Sequence, residues 1–578
     1  MLATGNAATA APAPTTAQSN RATLQQRSGL LTDTLAMAGV LILAFAARWP
    51  YIYSAPRFRD DTFNATHALR IYRGQHFPFT DVEAYIGAFF NYAVAAGMFV
   101  LGPTIYAARQ VVTFFGVATV GATYVLGREL GLATGDGSRW RAVCVGLVAA
   151  AFMLTNGIHI APVGHVAFSG SITPLFTTLA FWLLHRWSVR GTNGTLVWAG
   201  LMLGMSMHTH PTIVAFLPGV AGWLLWRNWG LLRTRWPYLA ALAFVAAFSP
   251  MIAFNIITGG ESIRHAIYTA TERPDYVDPD KTDSAKLTLS NYLSRQKDYW
   301  IMLHGTLGGA VNERDGAVGY LTDPYLGAMS LLSVAGLAWA ARRYRYRLPL
   351  WLGASFALLL PVFNVSHYDV EYDGRYVLPL FPMVYATIGL LAIDLWRALT
   401  ARANTPTARR GLSAAIGLVL VVTAVIPLFF LARYYDRASR ADPTNASLVR
   451  AMNEVKAVLK PGQVVLLDNN MNNRRTERAN PLDEASTIRV MKYILEFDNI
   501  PFETANVDAS VLEAYQQRRE PVVVVLSSGV DSKETAKLGE LIEQFGMVGL
   551  DGQPERPPRP ADRYGIFLLN PVTVPAGR

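Results

Sequence analysis

Two adjacent carboxylates, Asp60 and Asp61, follow closely on the first hydrophobic segment of the chain, which ends near Tyr53. Basic residues lie close by, at Arg59 and Arg70. A carboxylate at the edge of the hydrocarbon layer is costly and usually has a functional role. The pattern suits a site that takes a proton from a substrate while a phosphate group is held nearby. The alternative is that the pair begins a solvated loop or caps its first helix.

A second candidate is a cation at the start of the apolar segment 376–396. Arg375 ends a short and densely polar stretch, 365–375, that separates two apolar segments. Arginines concentrate in cytoplasmic loops, so a lone arginine at the outer end of a span favours an anionic partner such as a phosphate. The alternative is a local ion pair with Asp373 or Glu371.

Histidines form the third group of candidates. His208 and His210 are two positions apart and therefore do not share a helix face, which makes a metal site there less favoured than packing or hydrogen bonding at a helix break. His165 lies beside a Pro-Gly turn, and Glu83 lies in the segment after the acidic pair. His210, His165 and Glu83 stay open as positions that contact an acceptor or a divalent metal ion.

The composition is that of a membrane protein with some soluble mass. Of 578 residues, 52% are hydrophobic and 16% are charged, whereas soluble domains contain about 25% charged residues. The net charge of +10 comes from short arginine clusters between apolar segments, which indicates membrane topology and argues against nucleic-acid binding. The single cysteine, Cys144, excludes an intrachain disulfide.

Eleven apolar segments are long enough, or nearly so, to cross a membrane. Every second loop between them is rich in arginine, which predicts a cytoplasmic N-terminus and a C-terminus outside the cytoplasm. The first 30 residues, rich in Ala, Thr and Pro, are expected to form a disordered cytoplasmic tail. The predicted spans are 32–53, 105–127, 142–158, 171–185, 195–210, 211–226, 238–257, 325–341, 348–364, 376–396 and 411–431.

One further segment, 84–101, is also apolar enough to span. If it did, every later arginine cluster would move to the outer side of the membrane. We therefore expect an interfacial or re-entrant helix within a first outer loop, 54–104, that folds back over the membrane domain 31–431. A second long outer loop is expected over 258–324.

After residue 431 the pattern becomes that of a globular α/β domain, 432–578. Strands are predicted at 464–468, 521–527 and 564–570, with helices near 446–459, 484–497, 508–519 and from Asp531. The sequence of this part contains no glycine-rich phosphate loop, metal-ligand cluster or nucleophile motif. We expect it to support or to recognise rather than to catalyse.

Over about 30–400 the sequence resembles the GT-C superfamily of integral-membrane glycosyltransferases, and within it the branch of protein O-mannosyltransferases and lipid A aminoarabinose transferases. The resemblance lies in the order of several short motifs. Two of them differ from the usual residue, with Asp61 in place of Glu and His210 in place of Lys. The motifs are Asp60-Asp61, Ala65–Arg73 with Gly74, Glu83, Leu101-Gly102, Ala107-Ala108-Arg109, LMLGMSMHTHP and Arg375-Tyr376-Val377-Leu378-Pro379.

The resemblance implies an α-helical polytopic membrane enzyme that moves a hexosyl or pentosyl group from a polyprenyl-phosphate-linked sugar donor to an acceptor hydroxyl on a lipid, protein or glycan. Asp60 would act as the general base, and Asp61 would orient the acceptor or hold a cation. Arg375 and Tyr376 would bind the donor phosphate. The enzyme would reside in the plasma membrane, with its site at the outer face.

Two alternatives stay open. A transporter or flippase of lipid-linked sugars would need a site accessible from both sides, and the sequence shows neither paired repeats nor charges in the middle of its spans. A GT-C protein that has lost catalysis is the other alternative.

Overall fold

The computed structural model describes residues 16–54, 59–81, 83–133, 138–164, 167–271, 287–310, 323–345, 347–362, 376–441, 444–459, 463–469, 487–517, 521–527, 532–558 and 564–570. Asp60 lies in the described backbone, but its side chain lies outside the description, as do the whole of His165 and Arg375.

The N-terminal half of the chain is helical. Its α-helices are α1 (Thr16–Arg48), α2 (Tyr51–Ser54), α3 (Arg59–Tyr72), α4 (Phe89–Leu101), α5 (Ala107–Ala133), α6 (Arg139–Thr155), α7 (Gly157–Gly164), α8 (Thr173–Arg190), α9 (Gly194–Thr209), α10 (Leu217–Arg227) and α11 (Trp236–Thr258). Residues 16–30, expected to be disordered, instead form the first half of α1. This part of the sequence contains no proline and simply extends the apolar helix that follows it.

The helices continue through the second half of the membrane part. They are α12 (Glu261–Thr271), α13 (Leu289–Leu307), α14 (Pro324–Arg343), α15 (Leu348–Leu359), α16 (Phe381–Arg402) and α17 (Pro406–Ala441). Helices α12 and α13 occupy the second long loop, where the sequence analysis predicted no helix. Within the described residues, six helical segments are long and apolar enough to cross a membrane. The other five predicted spans are helical but do not meet both criteria, so the count of eleven stays a prediction.

Helix α4 is the structural counterpart of the ambiguous segment 84–101. Its 13 residues extend for about 20 Å, which is less than the roughly 30 Å of a hydrocarbon core. One face is buried through Phe90, Val94 and Met98, while Phe99 and Val100 are exposed. The helix therefore packs on its neighbours along one side, as an interfacial helix does.

The centre of the membrane part is formed by α5 and α16, whose apolar stretches are mostly buried, whereas that of α11 is almost entirely exposed. Helix α11 packs closely on α9 because α9 presents glycines four residues apart. A Cβ atom at Gly200 would lie 2.1 Å from the Ala240 carbonyl oxygen, and one at Gly204 would lie 2.4 Å from that of Phe244. Small residues at this spacing let two membrane helices approach closely.

The C-terminal part contains α18 (Thr444–Val458), β1 (Val465–Asp468), α19 (Thr487–Phe497), β2 (Phe502–Ala505), α20 (Ala509–Gln517), β3 (Val522–Ser527), α21 (Ser532–Gln544) and β4 (Tyr564–Leu569). The strands form one sheet in the order β2-β1-β3-β4, with β1 parallel to β2 and β3, and β4 antiparallel to β3. The prediction of a helical membrane protein with a small C-terminal α/β region is confirmed, apart from the unpredicted strand β2.

Candidate active site

The acidic pair lies in the first turn of α3, directly beyond the first span. Asp61 is fully buried. Its Oδ2 accepts hydrogen bonds from two nitrogens of Arg109 on α5, Nε at 2.8 Å and Nη2 at 2.7 Å. A carboxylate is favoured at this position, because the N-terminal end of a helix carries partial positive charge.

The arginine of this pair also binds the backbone before α3. Nη1 of Arg109 donates to the Ile52 carbonyl oxygen at 3.2 Å. Both charged side chains of the ion pair have no exposed surface. One buried guanidinium thus joins α2, α3 and α5, and it holds the first turn of α3 in a single orientation.

Arg109 is the residue whose importance the sequence analysis missed. It was included only as the last residue of an Ala-Ala-Arg motif. A signal was available, because a charged residue in the first turn of a strongly apolar helix is costly unless it is paired. The partner could not be identified from spacing, since Asp61 lies 48 positions earlier in the chain.

A second buried polar pair lies at the end of the first span. Arg48 and His159 are both fully buried, and Nη2 of Arg48 lies 2.6 Å from Nδ1 of His159. Nearby, the ring of Tyr51 on α2 stacks on that of Tyr435 on α17 at 4.2 Å between centroids. The first contact joins α1 to α7, and the second joins α2 to α17.

The structure brings His210 and Tyr376 together, with ring centroids 5.0 Å apart. His210 caps the short 3-10 helix Pro211–Phe216, because its Nδ1 accepts from the Thr212 backbone N–H at 3.3 Å and lies 2.9 Å from the Thr212 Oγ1. The structure thus shows hydrogen bonding of His210 at a helix break. Tyr376 is also the residue next to Arg375.

Glu83 pairs with a residue of the second long loop. Its Oε2 is 3.2 Å from Nε2 of His265 on α12, and both side chains are more than one third exposed. The ring of Tyr85 packs against the same histidine at 5.2 Å between centroids. At this exposure the pair contributes little to stability. Its effect is to connect the segment after the acidic pair with the second long loop.

The segment 79–88 between α3 and α4 is anchored from three directions. Asp81 is buried and accepts from Nδ2 of Asn91 at 3.0 Å and from the Ser169 hydroxyl. His208 accepts from the Phe89 backbone N–H at its Nε2, and its carbonyl oxygen accepts from Gly87 N–H at 2.8 Å. His208 thus holds the segment against the C-terminal end of α9, which His210 caps, and Ser169 holds it against the short 3-10 helix Ser169–Ile172.

Among the described residues, no group of three or more His, Cys, Asp or Glu side chains could hold a metal ion. Among the described residues no hydrogen bond or ion pair joins Glu83 to His210. Glu83 pairs with His265, and His210 contacts Thr212. His165 lies outside the described part of the chain. The structure therefore brings Asp61 into contact with Arg109, and His210 into contact with Tyr376. Glu83 contacts His265 instead.

A family model described as dolichyl-phosphate-mannose-protein mannosyltransferase matches residues 87–254. A comparison with curated protein sequences finds no match.

Solved structures match over nearly the whole chain. ArnT from Cupriavidus metallidurans bound to undecaprenyl phosphate is 15% identical, with a TM-score of 0.51 over 94% of this chain and 99% of ArnT. In the apo state it is 14% identical, with a TM-score of 0.53 over 96% and 100%. The archaeal oligosaccharyltransferase AglB from Archaeoglobus fulgidus, in complex with an inhibitory peptide and a dolichol-phosphate, is 14% identical over 85% of this chain and 69% of AglB, with a TM-score of only 0.38.

The match to ArnT shows the fold, and the apolar helices show an integral membrane protein. The chain has the GT-C fold and resembles the branch of the GT-C superfamily that contains the protein mannosyltransferases and ArnT.

Proposed function

We propose that this protein is an inverting glycosyltransferase, which moves a sugar from a polyprenyl-phosphate carrier to an acceptor hydroxyl at the outer face of the membrane. The observation that carries the proposal is the buried Asp61–Arg109 ion pair, which fixes the acidic first turn of α3 at the end of the first span in a GT-C fold. A carboxylate in a solvated loop would not need such a buried partner, whereas Asp61 has one in Arg109.

In the proposed reaction the two carboxylates have different tasks. Asp61 is already bound to Arg109, so it acts as a positioning residue that orients the turn. Asp60, its neighbour in the chain, takes the proton from the acceptor hydroxyl as general base. The acceptor oxygen then attacks the anomeric carbon from the side opposite to the phosphate, which inverts its configuration.

The bond that breaks joins the anomeric carbon to the phosphate oxygen, and polyprenyl phosphate leaves with an additional negative charge. Positive charge and hydrogen-bond donors near that oxygen lower the barrier, because they act on charge that develops in the transition state. Arg375 and Tyr376 are proposed for this role. The position of Tyr376 against His210 supports it, since the tyrosine ring is held by a neighbour that is itself fixed as a helix cap.

Two findings support the class of donor. The matching family model is named for dolichyl-phosphate-mannose, and the ArnT structure contains undecaprenyl phosphate. Both names describe a polyprenyl phosphate. They do not identify the sugar of this protein or its acceptor, so we propose a hexosyl or pentosyl group and a lipid, protein or glycan hydroxyl.

The arginine pattern supports the orientation, with the N-terminus in the cytoplasm and residues 432–578 outside it. A fluorescent protein that matures only in the cytoplasm tests this when it is fused after Arg578. The fusion should be dark, and a fusion after Arg402, in a predicted cytoplasmic loop, should fluoresce. Fluorescence from the full-length fusion would overturn the orientation.

The function is tested by transfer of labelled sugar from polyprenyl-phosphate donors by the purified protein. Wild type is compared with Asp60→Asn and with Glu543→Gln, a control that removes an exposed carboxylate from α21. We expect transfer in wild type and Glu543→Gln, and its loss in Asp60→Asn with donor binding retained. Transfer that survives Asp60→Asn would refute the assignment of the base, and absence of donor binding in the wild type would refute the function.

A further inference from the structure

A cavity of about 360 Å³ lies between α3 and α19, where the C-terminal part rests on the helix that carries the acidic pair. This is within the range of small-molecule sites. The cavity is distinct from the region of His210 and Tyr376, and the mechanism proposed above does not use it. Its lining combines charged side chains from both helices with the aromatic rings of Phe63 and Phe502.

The charged lining is unbalanced. Arg70, Arg489 and Lys492 supply three positive charges, and Glu496 supplies one negative charge. That carboxylate is already engaged, because its Oε1 accepts from Nε of Arg70 at 3.0 Å. The guanidinium of Arg489 lies 4.1 Å from the ring centroid of Phe63, which is also part of the lining.

Lys492 is the clearest sign that a ligand is needed. It is partly buried, and no hydrogen bond or ion pair joins its ammonium group to any residue in the described part of the chain. Burial, and secondarily the charge of Arg489, lowers the pKa of Lys492. The two cations thus repel each other across a partly enclosed space, and an anion between them would relieve this repulsion.

His67 adds a polar group to the same wall. Its Nδ1 is buried and has no hydrogen-bond partner among the described residues. Burial is the largest cause of a lowered pKa for His67, followed by the charges of Arg70 and His76. The ring is neutral above about pH 6.5 and therefore adds no further charge to the wall of the cavity.

We propose that this cavity binds the phosphate group of a phosphomonoester, held between α3 and α19 by Arg70, Arg489 and Lys492. Two planar guanidinium groups and one ammonium suit a doubly charged phosphate better than a single carboxylate. The space exceeds what a phosphate needs, and the aromatic walls accommodate the less polar group that carries it. The ester is either a lipid headgroup in the membrane or a soluble molecule.

Such a ligand would strengthen the contact between the two parts of the protein. At present they are joined here by the Arg70–Glu496 ion pair, by Arg73 Nη2 donating to the Glu496 carbonyl oxygen at 3.0 Å and by the Tyr493 hydroxyl donating to the Ile105 carbonyl oxygen at 2.7 Å. A phosphate that contacts both helices would add charge-assisted hydrogen bonds across the same junction. Its occupancy would thereby stabilise the position of α3.

The test uses the full-length protein in a neutral detergent. Glycerol 3-phosphate is the soluble probe and glycerol its uncharged counterpart, while phosphatidic acid in mixed micelles is the lipid probe and phosphatidylcholine its control. Binding is measured by calorimetric titration and by the shift in Tm. Lys492→Met removes the charge but keeps the packing of the side chain, Lys492→Arg keeps the charge, and Lys537→Ala on the exposed side of α21 is the control.

We expect one of the two phosphate probes to bind wild type, Lys492→Arg and Lys537→Ala and to raise their Tm, and Lys492→Met to bind about tenfold more weakly. Binding of glycerol 3-phosphate identifies a soluble ester, and binding of phosphatidic acid alone identifies a lipid headgroup. Binding of neither probe, or equal binding by Lys492→Met, would overturn the proposal. None of these binding and Tm measurements depends on sugar transfer. The test therefore remains valid even if the protein proves not to transfer a sugar.

Discussion

Asp61 and Arg109 form an ion pair with no exposed surface on either side chain, and the distance from Oδ2 to Nη2 is 2.7 Å. Because Nε donates to the same carboxylate oxygen, the guanidinium cannot turn without losing both bonds. The pair joins the short helix α3 to α5, a central helix of the membrane part. The position of Asp60 therefore depends on a residue in a different helix.

Removal of the arginine should be costly. Arg109→Met would leave the Asp61 carboxylate buried without its counter-charge, and the free energy of unfolding should fall by about 3–5 kcal/mol. The loss is measured by thermal unfolding in detergent. Arg233→Met, which changes an exposed arginine, should have little effect. The double variant Asp61→Asn with Arg109→Met should recover part of the stability, and additive losses would show that the two residues do not act as a pair.

Gly87 is required by a close approach rather than by its backbone angles. A Cβ atom at this position would lie 2.3 Å from the ring of His208, whose backbone carbonyl accepts from the Gly87 N–H. We expect Gly87→Ala to cost about 1–3 kcal/mol in the free energy of unfolding, because segment 79–88 must move away from α9.

The matched control is Gly327→Ala in α14, where an added Cβ has open space around it. This variant should be neutral or more stable by about 0.5–1 kcal/mol, since glycine is unfavourable within a helix. Equal Tm values for the two alanine variants would show that the ring of His208 can turn aside without cost.

Much of this fold could be predicted because hydropathy is a local property. The predicted span 105–127 corresponds to α5, and the predicted strand 521–527 corresponds to β3. Both elements are largely buried, and apolar residues predominate in them. The prediction that segment 84–101 is interfacial came from the arginine pattern of the later loops, which is a constraint on the whole chain.

The features that could not be predicted are contacts between distant positions and elements that mix polar with apolar residues. Strand β2, Phe502–Ala505, is short, mostly exposed and at the edge of its sheet, so its sequence FETA has no buried-strand pattern. Helix α13 lies in a segment whose mixture of charges and apolar residues was interpreted as a polar loop. The Asp61–Arg109 contact joins distant positions, and only the fold reveals it.

His67 predicts a dependence of stability on pH. Its pKa in the folded protein is below the ordinary value of 6.5, mainly through burial and then through Arg70 and His76, with Glu496 acting in the opposite direction. The unfolded chain therefore binds a proton at a higher pH than the folded chain does. The stability from the neutral ring is complete above about pH 6.5 and is lost progressively as the pH falls below that value.

The measurement is the Tm of wild type and His67→Gln between neutral and mildly acidic pH. We expect the Tm of the wild type to fall more steeply on acidification than that of the variant. Parallel curves would contradict the prediction and would show that other groups control the acid response.

Arg375 should affect donor binding more than folding. It precedes Tyr376, whose ring lies 5.0 Å from that of His210, and a cation at this place would meet a leaving phosphate. We expect Arg375→Ala to weaken binding of a polyprenyl-phosphate donor by about tenfold while the Tm stays unchanged, because a charge-assisted bond to the ligand is lost. Arg375→Lys should retain part of the affinity, and Arg233→Ala should retain all of it. If Arg375 instead forms a local ion pair with Asp373 or Glu371, a surface pair of this kind contributes at most about 1 kcal/mol, and the alanine variant would bind the donor as tightly as the wild type.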